Sequence, residues 1–125
     1  MQVIETKNAP AAIGPYSQAI TANGFLFCSG QLGIDPSKGA LISENIEAQA
    51  EQALKNIKSI LNAAGIDFSD IVKTTIFLTS LDDFKIVNEI YSKELGGHKP
   101  SRSTVQVSKL PMGAKIEIEC IAAVK

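Results

Sequence analysis

Apolar residues recur at three- and four-residue spacing from Ile46 through Ala50, Ala53, Leu54, Ile57, Ile60 and Leu61 to Ala64, with Glu47, Glu51, Lys55 and Lys58 on the other side. That period predicts an amphipathic helix. Asn45 is placed to cap its N-terminus and Gly65 to stop it in a left-handed turn. A second stripe, Phe84, Val87, Ile90, Tyr91 and Leu95, predicts another helix, entered through a capping-box-like Ser80-Leu81-Asp82-Asp83 and ended by Gly96-Gly97. Between the helices, residues 71–79 are β-branched almost throughout and read as a central strand.

The rest of the chain follows a period of two. Residues 1–6 fit an edge strand, and the Pro- and Gly-containing segment 8–15 reads as a loop leading into an extended run from Tyr16 to Thr21. Asn23-Gly24 is a two-residue hairpin signal before Phe25-Leu26-Phe27-Cys28-Ser29, and residues 30–39 read as a polar, turn-rich loop. Residues 101–108 and 115–124 supply two more strands across Leu110-Pro111-Met112-Gly113. The expected order is β-β-β-α-β-α-β-β. Each helix has one apolar stripe, so both must lie on the same sheet face. Phe77, Ile121 and Ala123 then fall on the opposite face, and a second copy of the chain is expected to cover it.

Two charges interrupt the last strands. In the final strand Ile116, Ile118, Cys120, Ala122 and Val124 share one face, leaving Glu117 and Glu119 on the other. In the preceding strand Arg102 alternates with Ser103 and shares a more polar face with Thr104 and Gln106, which places Arg102 with Glu117 away from the helices. A charge between β-branched neighbours is costly to desolvate unless it is paired or binds a ligand. A guanidinium and a carboxylate in a partly dry cleft between subunits suit a small anionic substrate: arginine binds a carboxylate with two parallel hydrogen bonds, and glutamate orients or deprotonates water. On these residues alone an intersubunit ion pair is the favoured explanation of both, since structural ion pairs outnumber sites.

Composition narrows the field. With 125 residues, 45% of them hydrophobic, and a net charge of -1, the chain has the size of one domain with its own core. It has no 18-residue apolar run for a membrane, and its N-terminus lacks a secretory pattern, so a cytoplasmic address is expected. Twelve basic against thirteen acidic residues, with no basic cluster, argue against nucleic acid as the partner. Cys28 and Cys120 read as buried small hydrophobes, and the lone His98 as a solvated loop residue without metal company.

Five segments taken together resemble the reactive intermediate deaminase (RidA, or YjgF-like) family: 8–19, Ser29-Gly30-Gln31, 70–75, Pro100-Ser101-Arg102-Ser103 and Lys115-Ile116-Glu117-Ile118-Glu119. The resemblance runs over essentially the whole chain. It implies a chorismate-mutase-like α/β (α+β) domain over residues 1–125, with a mixed sheet and two helices packed on one face. It also implies a homotrimer with intersubunit clefts and hydrolysis of 2-imino acids such as 2-iminopropanoate and 2-iminobutanoate to 2-oxo acids and ammonia, with no metal or organic cofactor. On the family pattern Arg102 grips the substrate carboxylate, Glu117 positions or activates water, Tyr16 lies near the ligand, and Ser29 and Gly30 line the pocket. Thr104 stands where many members have a cysteine; it donates a hydrogen bond but offers no thiol. Relatives have also been linked to RNA cleavage, translation inhibition and protein binding.

Overall fold

The computed structural model describes residues 1–125. Eight strands and two α-helices follow one another as β1 (Gln2–Ile4), β2 (Ala19–Ala22), β3 (Phe25–Leu32), β4 (Ile34–Asp35), β5 (Ala40–Leu41), α1 (Ile46–Ala63), β6 (Ile71–Leu78), α2 (Phe84–Glu94), β7 (Ser101–Gln106) and β8 (Ile116–Ala123). Six strands form one mixed sheet in the order β1-β2-β3-β8-β6-β7, in which only the β6–β7 pair is parallel. A parallel pair needs a crossover, and α2 supplies it. The short β4–β5 hairpin stands apart, its first strand inside the segment 30–39 expected to be loop and its second just beyond it.

Local signals explain most elements. Asn23 and Gly24 have φ of 53° and 84°, the paired positive values that a tight β2–β3 turn requires. Asn45 Oδ1 accepts from Ala48 N at 3.0 Å to cap α1. Gly65, at φ 77°, closes that helix while Ile66 N donates to Leu61 O. The expected capping box at Ser80 is not formed. Ser80 instead caps a 3-10 turn over Leu81–Asp83 that leads into α2, and a reciprocal box occurs at Asp67 and Asp70.

Both helices lie on one face. Leu26, Ile76, Leu78, Ile116 and Ile118 from the sheet meet Ile57, Ile60, Leu61 and Val87 from the helices, all at most 2% exposed. The opposite face carries Phe25, Phe27, Phe77, Val105, Ile121 and Ala123, and Phe27 remains 45% exposed there. The single apolar stripe on each helix predicted this one-sided cover. The sequence reading misplaced the end of β3, which continues past Ser29 through a bulge: Cys28 pairs with Cys120 and Gln31 with Ile118, so Ser29 and Gly30 together oppose Glu119.

Candidate active site

Glu117 and Gly30 meet at this bulge. Glu117 pairs with Leu32 on one side and Phe77 on the other, which sets its carboxylate on the open face beside Gly30. A methyl group on Gly30 would lie 2.6 Å from Glu117 Cδ, so the glycine is required for space: the carboxylate rests where any side chain would be. Burial raises the Glu117 carboxyl above its ordinary range, and the nearby Glu119 carboxylate pushes it the same way. Such an acid exchanges a proton nearer neutrality than an exposed glutamate does.

The bulge also anchors an N-terminal arm. Ser29 Oγ donates to Ser17 O at 2.6 Å, and Ser29 N donates to Gln18 O at 2.9 Å. Gln18, 3% exposed, accepts from Thr6 N and donates through Nε2 to the carbonyls of Thr6 and Pro10. One buried amide thus satisfies the irregular backbone that leads to Tyr16. Tyr16 borders a cavity of about 620 Å³ together with Ser29, Gly30, Leu32, Met112 and Glu117. Met112 stands on its rim in the left-handed conformation, at φ 61° and ψ 18°.

Arg102 is elsewhere. The reading that placed it with Glu117 is corrected by the register: β7 lies parallel to β6 with Arg102 opposite Thr74 and Thr104 opposite Ile76, and both β6 residues are buried toward the helices. Glu117 pairs with Phe77, on the other face. Arg102 therefore points to the helix side, where its guanidinium carbon lies 5.0 Å from the centre of the Tyr91 ring and 5.7 Å from that of Phe84. It borders a separate hollow of about 470 Å³ with Asn88, Ser92 and His98. Alternation identified which residues share a face of β7 but not which face that was. The assignment by polarity failed because Val105 stands on the open side, among other apolar residues.

One chain accordingly brings together Tyr16, Ser29, Gly30 and Glu117, and holds Arg102 and Thr104 apart from them. Thr104 Oγ1 is buried and has no hydrogen-bond partner. His98 is not merely solvated: its Nε2 lies 2.7 Å from Ile71 O, tying the loop after α2 to the start of β6. Cys28 and Cys120 face one another as free thiols, and their mutual hydrogen bond with burial holds the Cys28 thiol well above its usual range. Inert packing is what such thiols offer.

Sequence reading overlooked the buried amides. Asn56, wholly buried, donates to Leu32 O at 3.1 Å and Ile34 O at 2.9 Å, fastening the chain beyond the bulge to α1. Gln49 accepts from Lys115 N at 2.8 Å, just before β8 begins, and donates to Ser43 O. A signal existed, since both fall on the apolar stripe of α1 at positions three or four from Ala53, where a polar residue needs a partner.

Comparison with known proteins places these features in a family. A model described as Endoribonuclease L-PSP matches residues 6–124. The chain is 58% identical to reactive intermediate deaminase A of Arabidopsis thaliana over 97% of its own length, and spans 65% of that chloroplastic protein. It is 50% identical to the mouse 2-iminobutanoate/2-iminopropanoate deaminase, covering 97% of this chain and 90% of the relative. Among solved structures it is similar to E. coli TdcF with bound serine, with a TM-score of 0.95, 41% identity and 100% of each chain covered.

Proposed function

The chain belongs to the YjgF/RidA family, and on that premise we propose that it hydrolyses reactive 2-imino acids, such as 2-iminopropanoate and 2-iminobutanoate, to 2-oxo acids and ammonia. The observation that carries the reading is the Glu117 carboxyl seated on Gly30 at the floor of a cavity beside Tyr16, with its proton affinity raised by burial. Water attacks C2 of the imine as Glu117 takes its proton. Glu117 returns that proton to the nitrogen of the carbinolamine, the C–N bond breaks, and ammonia leaves as the C2 hydroxyl gives its own proton to the Glu117 carboxylate and becomes the carbonyl. An iminium carbon is already electrophilic, so orienting substrate and water supplies most of the acceleration needed. Tyr16 encloses the reacting centre. Thr104 stands beside Arg102, and no thiol is required for this route.

Arg102 grips the substrate carboxylate, and in this reading it comes from a neighbouring chain. The support is geometric: within one chain Arg102 and Glu117 occupy opposite faces of the sheet, while the apolar open face invites a second copy. Arg102 stands on β7, an edge strand of the sheet, so it borders whatever chain packs against that edge. The serine bound to TdcF, a small amino carboxylate, fits the same size of ligand.

Complementation tests both halves at once. Arg102→Ala and Glu117→Gln are each expected to abolish the shortening of imine lifetime when amino-acid oxidase generates 2-iminobutanoate. When the two variants are unfolded and refolded together, random mixing restores about one quarter of the sites, because one intact residue then comes from each chain. Refolded mixtures that stay inactive would refute the shared site, and wild-type protein without effect on imine lifetime would refute the reaction.

A further inference from the structure

Arg102 is the only arginine in the chain, and no carboxylate lies within ion-pair reach of it; the one ion pair within 4.0 Å joins Lys58 and Asp67. Its neighbours are aromatic instead. Phe84 and Tyr91 stand seven residues apart on α2, two turns along one side, and place their rings 5.7 Å and 5.0 Å from the guanidinium carbon. Ring faces attract a guanidinium without neutralising it, whereas a carboxylate partner would occupy the hydrogen bonds needed for a substrate.

The two rings are not equivalent. Phe84 is 36% exposed, whereas Tyr91 is 7% exposed and its hydroxyl lies 2.7 Å from Thr74 Oγ1. Thr74, 1% exposed, sits on β6 in direct register with Arg102 on β7. The Tyr91 ring is thus held at one end by the helix backbone and at the other by a buried hydrogen bond to the strand beside Arg102. A guanidinium on an edge strand would otherwise sample many rotamers and lose that freedom when a ligand binds.

We infer that Tyr91, through its ring, is a positioning residue that holds the Arg102 guanidinium in its carboxylate-binding orientation before a ligand arrives. This rests on the reading of Arg102 as the carboxylate anchor. Tyr91 acts through Arg102 and does not touch the reacting atoms, so its loss falls on binding and spares the chemical step.

Because Arg102 is the sole arginine, its Nε–H gives a unique signal in 15N-edited NMR of the whole protein. In the wild type that signal is expected away from the averaged position of a free arginine side chain, shifted by the ring current, and to stay there in Tyr91→Phe. In Tyr91→Leu it moves to the averaged position. The same variant raises KM for 2-iminobutanoate and the Kd for 2-oxobutanoate about fivefold, as loss of one cation–π contact would, with kcat within about twofold. Tyr91→Phe, which keeps the ring, restores both constants to within about twofold of wild type. A folded Tyr91→Leu protein with unchanged KM and Kd overturns the inference. Should that variant fail to fold, Phe84→Leu separates the two rings: an Arg102 signal that keeps its ring-current shift there supports the inference, and one that falls to the averaged position overturns it. If Arg102→Ala leaves the Kd for 2-oxobutanoate unchanged, the anchor reading itself has failed and the inference with it; if Arg102→Ala raises that Kd and Tyr91→Leu does not, only the positioning role is lost.

Discussion

Two glycines separate function from stability at the scale of single residues. A methyl group on Gly30 would meet the far end of Glu117, a side chain able to swing away, whereas one on Gly33 would lie 2.5 Å from Gln49 Cα, in backbone that cannot move alone. Gly30→Ala is therefore expected to change stability by less than about 1 kcal/mol while lowering kcat/KM roughly a hundredfold through the displaced carboxylate. Gly33→Ala is expected to cost about 3 kcal/mol in denaturant unfolding. Glu117 itself opposes folding when ionised, because its folded-state proton affinity is raised by burial and then by Glu119. The folded protein binds that proton more tightly than the unfolded chain, so the relative stability it confers is present at low pH and lost as pH rises through the raised value. Glu117→Gln should consequently melt higher than wild type near neutrality, with the gain vanishing below about pH 4, where the carboxyl is protonated in both states. In the active protein, the acid limb of the rate profile should lie above the range of an exposed glutamate, since the water-activating form is the carboxylate.

At the scale of elements, the site depends on how α1 and the N-terminal arm are fastened to the sheet. Asn56 links α1 to the carbonyls of Leu32 and Ile34, and its own Oδ1 accepts from Gln52 at 2.8 Å. Asn56→Leu keeps the volume but strands the buried Leu32 carbonyl and the half-buried Ile34 carbonyl, and should cost about 2–4 kcal/mol, measured by urea unfolding. The α1 boundaries, the Asn23-Gly24 turn and the β6 strand were legible because each rests on neighbours in sequence: a cap, a pair of positive φ angles, a β-branched run. The β3 bulge was not. It forms because Gly30 leaves room for Glu117, eighty-seven positions further along, and no local pattern announces that contact.

For the whole molecule, assembly and catalysis should fail together. Ile121 lies on the open face, opposite Phe27 on β3 and Lys73 on β6. Ile121→Arg would set a second positive charge beside Lys73 and next to Phe27 on the face proposed to meet another copy. Light scattering should then report monomers whose circular dichroism is unchanged, and imine hydrolysis should disappear although Arg102 and Glu117 are both present. A stable monomer that retained activity would contradict the shared site.

The amino-acid sequence by itself determined the two helices and the six strands of the main sheet, the one-sided placement of the helices, the left-handed turns at Gly24 and Gly65 and the membership of Arg102 and Glu117 in a recognisable motif set. The elements, the one-sided cover and the turns follow from periods of 3.6 and 2 and from residues acting on near neighbours, and the motif set rests on the family resemblance. The side of the sheet on which Arg102 stands was decided only in three dimensions. Alternation separates two faces without naming them, and the parallel pairing of β7 with β6, imposed by the α2 crossover, put Arg102 over the rings of Tyr91 and Phe84 while Glu117 stayed on the bulge at Gly30.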